Sequence, residues 1–147
     1  MIQLREARST DAGKVGAILT EFAQEADWMP KLHTGAEDVA YAGVMIERGW
    51  VSIAMLDGEV AGFAACDAGA LDALYVAAKA RGKGLGSTLL QHLQGANPAL
   101  TLWTFQANLR AQTFYEKHGF TEQERTNGAR NDEGLPDIRF HWRREAE

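Results

Sequence analysis

A chain of 147 residues, 46% of them apolar, is long enough to bury one full core and is expected to form one domain over residues 1–147. A net charge of −5, with basic residues gathered only at 79–83, argues against nucleic acid as the main partner and is compatible with a cationic substrate such as an amine. No apolar run reaches membrane-spanning length, MIQLREARSTDAG lacks the apolar core of a secretion signal, and the lone Cys66 allows no internal disulfide, so no membrane partner and a reducing, cytoplasmic setting are expected.

The chain opens with a strand pattern over 2–7 and a helix pattern over 11–25, with Ser9, Thr10 and Asp11 as cap candidates. After the irregular DWMPKLH at 27–33 comes a helical stretch over 37–48. Strand patterns over 50–55 and 60–66 flank Leu56-Asp57-Gly58-Glu59, a hairpin turn signal. Cys66 ends the second strand and reads as a structural thiol, not a nucleophile. A strand over 71–76, a helix over 84–95, a strand over 100–105, a helix over 110–118 and a strand over 120–125 follow. The polar TNGARNDEGLPD at 126–137 reads as a loop before a last strand over 138–142. Hairpins beside a helical crossover from 71–76 to 100–105 imply an α+β fold with a mixed sheet.

The segment LDALYVAAKARGKGLGSTLL, residues 71–90, joins a strand to a helix through a basic, glycine-rich turn. Leu85, Leu89, Leu90 and Leu93 form one stripe of that helix. Such a turn offers backbone N–H groups and the positive end of a helix to phosphate. Its spacing is not that of a P-loop, because no lysine stands between Gly86 and Ser87. Nor is it a dinucleotide fingerprint, because the glycines fall at 82, 84 and 86. Arg81, Gly84 and Gly86 do fit Arg/Gln-x-x-Gly-x-Gly.

Downstream, NLRAQTFYEKHGF at 108–120 combines a cap candidate, Asn108, with a helix and a terminating glycine, Gly119. It matches Asn-x-x-Ala-x-x-Phe-Tyr-x-x-x-Gly-Phe at all six specified positions. In these two motifs, and in their order, the chain resembles the GNAT superfamily of acyl-CoA N-acyltransferases, well over about residues 50–125 and loosely elsewhere. The resemblance implies a GNAT-like fold, a mixed and mostly antiparallel sheet flanked by helices, with acetyl-CoA as co-substrate.

The resemblance also implies roles. Arg81, Gly82, Lys83, Gly84, Leu85, Gly86 and Ser87 would hold the pyrophosphate of CoA. The main chain of Leu74, Tyr75 and Val76 would pair with the pantetheine arm as an added strand, and a backbone N–H near Leu74 or Tyr75 would face the oxyanion. Tyr115 would be the acid that protonates the leaving thiolate, its phenol lying only ~1.5 pKa units above a thiol. Asn108 would meet the pantetheine amides, or serve only as a helix cap.

Asp72 is a candidate base, since strand alternation places it on one face with Leu74 and Val76. A lysine-like amine costs about 4.6 kcal/mol to deprotonate at pH 7, an α-amine only about 1.4 kcal/mol. Trp28, Asp132 and Glu133, on the two irregular segments, are candidates for acceptor binding, with Trp103 and Phe105 on one face of their strand. His33, His92, His118 and His141 show no ligand spacing, and no metal is expected. The resulting expectation is transfer of acetyl from acetyl-CoA to a primary amine of a small molecule by direct attack. A protein or peptide N-acyltransferase and a non-catalytic acyl-CoA sensor remain as alternatives, and a homodimer is left open.

Overall fold

In a computed structural model that describes residues 1–145, seven strands form one sheet in the order β1-β2-β3-β4-β5-β7-β6. In chain order the elements are β1 (Ile2–Glu6), a 3-10 turn (Ser9–Asp11), α1 (Ala12–Glu25), α2 (Gly35–Glu47), β2 (Val51–Leu56), β3 (Glu59–Asp67), β4 (Ala70–Val76), α3 (Leu85–Ala96), β5 (Ala99–Phe105), α4 (Leu109–Lys117), β6 (Thr121–Thr126) and β7 (Asp137–Arg143). All neighbours pair antiparallel except β4 and β5. The fold is α+β with a mixed sheet, as the order of patterns implies. Among the described residues no helix is long and apolar enough to cross a membrane.

Two cores sandwich the sheet. On one face the leucine stripe of α3 buries Leu85, Leu89, Leu90 and Leu93 against Leu100, Leu102, Ile138 and Phe140. On the other face Val15 and Ile18 of α1 and Ala42 and Met45 of α2 pack on Ile53, Phe63 and Ala73. The helix pair α1–α2 is close because position 16 is glycine: a Cβ there would sit 2.7 Å from the Cα of Val39. Thr20 donates to Asp38 across the same seam at 2.6 Å. Helix α2 starts two residues earlier than its apolar pattern predicts. Thr34 and Glu37 form a reciprocal capping box, with Glu37 N donating to Thr34 Oγ1 at 3.1 Å and Thr34 N to Glu37 Oε1 at 2.9 Å.

The register of β3 on β4 departs from strict alternation. Ala65 pairs with Ala73 and Cys66 with Leu71, so Asp72 is the extra residue of a bulge. Leu74 and Val76 pack toward α3, while Ala73 and Tyr75 pack toward α1 and α2. The Asp72 carboxylate accepts a hydrogen bond from Tyr41 of α2. Asp72 therefore lies on the α2 side, not on one face with Leu74 and Val76 as alternation alone predicts.

The entry to α1 is fixed by a partly buried ion pair. Arg5 donates to both oxygens of Asp11, at 2.8 and 2.9 Å, and the Arg8 amide donates at 2.7 Å. The Arg5 guanidinium, opposed by burial, leads in lowering the Asp11 carboxyl to about 2. Because the folded value is depressed, the stabilisation is full above the unfolded carboxyl range near ~3.9 and is lost as pH falls toward the folded value. Asp11→Asn should destabilise the protein by about 2 kcal/mol at pH 7, the scale of charged hydrogen bonds lost from a buried site. Urea unfolding at pH 7 and pH 3 should show a smaller difference between variant and wild type at the lower pH.

Candidate active site

The parallel ladder between β4 and β5 contains two pairs, Ala70–Thr101 and Leu71–Leu102. Beyond them the strands splay, and the β5-facing edge of Leu74, Tyr75 and Val76 lines a cavity of about 980 Å³. The other edge of these residues remains paired with β3, through Leu74–Ala64, Tyr75–Phe63 and Val76–Gly62. An extended ligand chain can thus add to β4 as a strand would.

At one end of this cavity lies the glycine-rich turn. Gly82 and Gly84 adopt φ of +77° and +88°, a region that favours glycine. Gly84 immediately precedes α3, so the first amides of that helix, at Leu85, Gly86 and Ser87, face a turn without side-chain bulk at its entry. The cavity is lined by Arg81, Gly82, Gly84, Leu85, Gly86 and Ser87. Lys83 is exposed and outside that lining, where its charge acts on Asp57. Arg81 is already engaged: its Nη1 lies 2.6 Å from Oε2 of Glu25, at the end of α1, and both residues line the cavity. An anion entering the turn must compete with Glu25 for Arg81.

Tyr115 sits at the floor. It is 7% exposed, with its ring against Phe114, Phe120 and Phe140. Among the described residues no buried polar side-chain atom lacks a partner, and the Tyr115 hydroxyl makes no hydrogen bond, so the hydroxyl opens to the cavity. Burial raises its pKa well above the ordinary phenol value, which widens the separation from a thiol beyond that assumed from sequence. Asn108 is the helix cap weighed for it. Its Oδ1 accepts from the Ala111 amide at 3.1 Å, capping α4, and the residue also lines the cavity. Ser87 is shared with a residue that the motifs do not single out, His118, at 3.0 Å from Oγ to Nε2.

A second, narrow cavity of about 60 Å³ lies in the gap between the splayed strands. Asp72, Tyr75 and Trp103 line it, together with Asn108 and Tyr115. Its lining thus spans from Asp72, bonded to α2, to Tyr115. Tyr75, assigned by sequence only through its backbone, packs its ring on Phe22 at 4.8 Å. Its phenol is pushed up to about 12 by burial, then by Asp72 and Glu133. Glu133 of the β6–β7 loop acts on that phenol by its charge and lies outside the lining of both cavities. Asp132 is exposed, and no contact ties it to the site. The loop is held by Asn131, which donates to Leu135 O at 2.7 Å and to Asp137 at 3.1 Å. Trp28 lines the larger cavity and props its open end, with its ring 5.5 Å from Phe105 and 6.1 Å from Phe22. Trp103 is 50% exposed beside the gap.

Sequence reasoning missed Glu25 and Tyr41, whose partners lie 56 and 31 residues away. Replacing Glu25 by Gln frees Arg81 for a phosphate ligand. The Kd for acetyl-CoA should fall about two- to fivefold by calorimetry, the range set by a partly exposed ion pair. Arg81→Ala should move it the other way.

A family model described as an acetyltransferase (GNAT) domain matches residues 46–122, which include β4, the glycine-rich turn, α3 and α4. The chain is 40% identical over 65 residues to the peptidyl-lysine N-acetyltransferase YiaC of Escherichia coli (strain K12), a match covering 44% of this chain and 44% of that protein. It is 28% identical over 122 residues to the peptidyl-lysine N-acetyltransferase YjaB of Salmonella typhimurium, covering 82% and 83%. The fold is shared with yncA of Salmonella typhimurium, a structure solved with its cofactor acetyl-CoA, at TM-score 0.76 and 16% identity over 100% of this chain and 96% of that one. With the splayed strands, the glycine turn and the α4 motif all inside or beside the matched segment, the chain belongs to the GNAT family of acetyl-CoA-dependent N-acetyltransferases.

Proposed function

We propose that the protein acetylates an unhindered primary alkylamine, and that the lysine side chain of a protein or peptide is that amine. The narrow gap lined by Asp72, Tyr75 and Trp103 and reaching Tyr115 carries this reading. A cavity of about 60 Å³ with Asp72 and Tyr115 both in its lining offers a place for the tip of an alkylammonium. Asp72 and Glu133 give its mouth a negative field suited to a cation. The half-exposed Trp103 leaves room outside for the chain that carries the lysine. Two relatives are named as peptidyl-lysine acetyltransferases, which supports the same choice. A free small-molecule amine presents the same alkylammonium and is the second reading.

The chain's own groups divide the work. The α3 amides, the Gly82–Gly84 turn and Arg81 bind the diphosphate, and the free edge of β4 orients the extended arm. Acetyl-CoA, when bound, supplies the activated acetyl group. Asp72 accepts a proton from the ammonium, leaving the neutral amine as nucleophile. A backbone N–H of β4 at Leu74 or Tyr75 donates to the carbonyl oxygen as negative charge grows there. Tyr115 donates its hydroxyl proton toward sulfur as the C–S bond breaks and the thiolate leaves, and the second proton, shed by the attacking nitrogen as the amide forms, passes through solvent to restore the phenol. Its raised pKa keeps it a full phenol across the neutral range, so it begins as a hydrogen-bond donor, and the proton moves only as charge collects on sulfur.

The function is tested by CoA release and mass spectrometry, with acetyl-CoA and a panel of lysine peptides, N-terminal α-amines, polyamines and amino acids. Lysine peptides should lead, with the acetyl group on Nε. Preferred turnover of a free amine would transfer the assignment to the small-molecule reading, and no CoA release with any member would reject both. Tyr115→Phe should lower kcat about 10²-fold with acetyl-CoA affinity nearly intact. Wild-type kcat in that variant, with chemistry rate-limiting, would leave Tyr115 only its packing role.

A further inference from the structure

Asp72 stands on a bulge at the exposed rim of the gap, where a carboxylate has several rotamers open to it. One contact selects among them. The Tyr41 hydroxyl donates to Asp72 Oδ2 at 2.5 Å. Tyr41 is 45% exposed, and its hydroxyl reaches from α2 across to β4 in this bond. The helix carrying it is itself fixed, by the Thr34–Glu37 capping box and by the close α1–α2 approach that Gly16 permits.

The charges around the pair come from every side. Tyr75, on β4 with Asp72, and Arg48, which follows α2, act on Tyr41, and Glu133 of the β6–β7 loop acts on Tyr75. Burial and Asp72 together hold the Tyr41 phenol above its ordinary pKa, so the shared hydrogen belongs to Tyr41. Among the described residues Oδ1 of Asp72 has no hydrogen-bond partner, and the residue lines the small cavity together with Tyr115.

We infer that Tyr41 is a positioning residue for the acceptor step: it clamps Oδ2 of Asp72, so that Oδ1 is presented to the incoming alkylammonium and takes its proton. This rests on the reading above that the acceptor is an alkylamine. The ammonium N–H bond breaks as an O–H bond forms on Oδ1. The proton then leaves to solvent at the exposed rim, and the amine keeps its electron pair for attack. Tyr41 touches neither substrate and neither gains nor loses a proton.

The test is a double-mutant cycle on the full chain, with Tyr41→Phe, Asp72→Asn and both together. It is read with acetyl-CoA and two peptides, one offering a lysine and one an α-amine of pKa near ~8. Wild-type transfer to the lysine peptide comes first. Its absence would overturn the proposed function and this inference with it. Given that transfer, Tyr41→Phe should lower kcat/KM for the lysine peptide about tenfold, while the KM for acetyl-CoA stays within about twofold. The loss should be smaller for the α-amine, which needs less help in deprotonation. In the Asp72→Asn background, Tyr41→Phe should cost less than about twofold, because the clamp has nothing to hold. Unchanged kcat/KM in Tyr41→Phe, equal losses for both amines, or losses that multiply fully in the double variant would each overturn the role. A merely structural tyrosine would affect both peptides alike and would add to Asp72→Asn.

Discussion

The two-pair ladder between β4 and β5 is the constraint from which the site follows. If the strands stayed paired, the backbone of Leu74–Val76 would be spent on β5, and no cavity would open between the strands. The divergence is held open from both ends. Tyr115 and the capped start of α4 fill the wedge on one face, and Trp28 against Phe105 braces the open end. One break in pairing thereby leaves the edge of β4 free along the large cavity and opens the small one between the strands, with the Tyr115 phenol lining both.

What could be read from sequence was what is local. The glycine turn and the α4 motif each fit within about a dozen residues, and their physics is short-range: positive φ at Gly84, side-chain capping by Asn108, a left-handed stop at Gly119. The leucine stripe of α3 and the strand sequence were legible for the same reason. What failed depended on register or on distance along the chain. Alternation assigns Asp72 to the wrong face because a bulge restarts the period, and nothing in LDALYV marks it. Tyr41 and Glu25 read as ordinary surface residues until α1 and α2 are packed. The early start of α2, by contrast, was written in Thr34-x-x-Glu37.

Helices α1 and α2 therefore do more than cover the sheet. The last two turns of α1 deliver Glu21 to the Ala78 amide at 2.8 Å and Glu25 to Arg81, so this helix supports the segment between β4 and α3. Helix α2, fitted into α1 at Gly16, carries Tyr41 to Asp72 on the other side of β4. The same helix pair thus reaches both the glycine-rich turn and Asp72, although the two recognisable motifs lie elsewhere in the chain.

Glu25 has one further consequence. A carboxylate fixed 2.6 Å from Arg81 is a tethered anion, present at an effective concentration that free phosphate in solution does not match. A lone small anion gains one contact and must first displace that competitor. A ligand bearing a diphosphate and an extended arm gains the α3 amides and the β4 edge in the same event, so exchanging one ion pair for another costs it little. Glu25 thus buffers the turn against abundant small anions and favours a ligand long enough to reach both the turn and the strand.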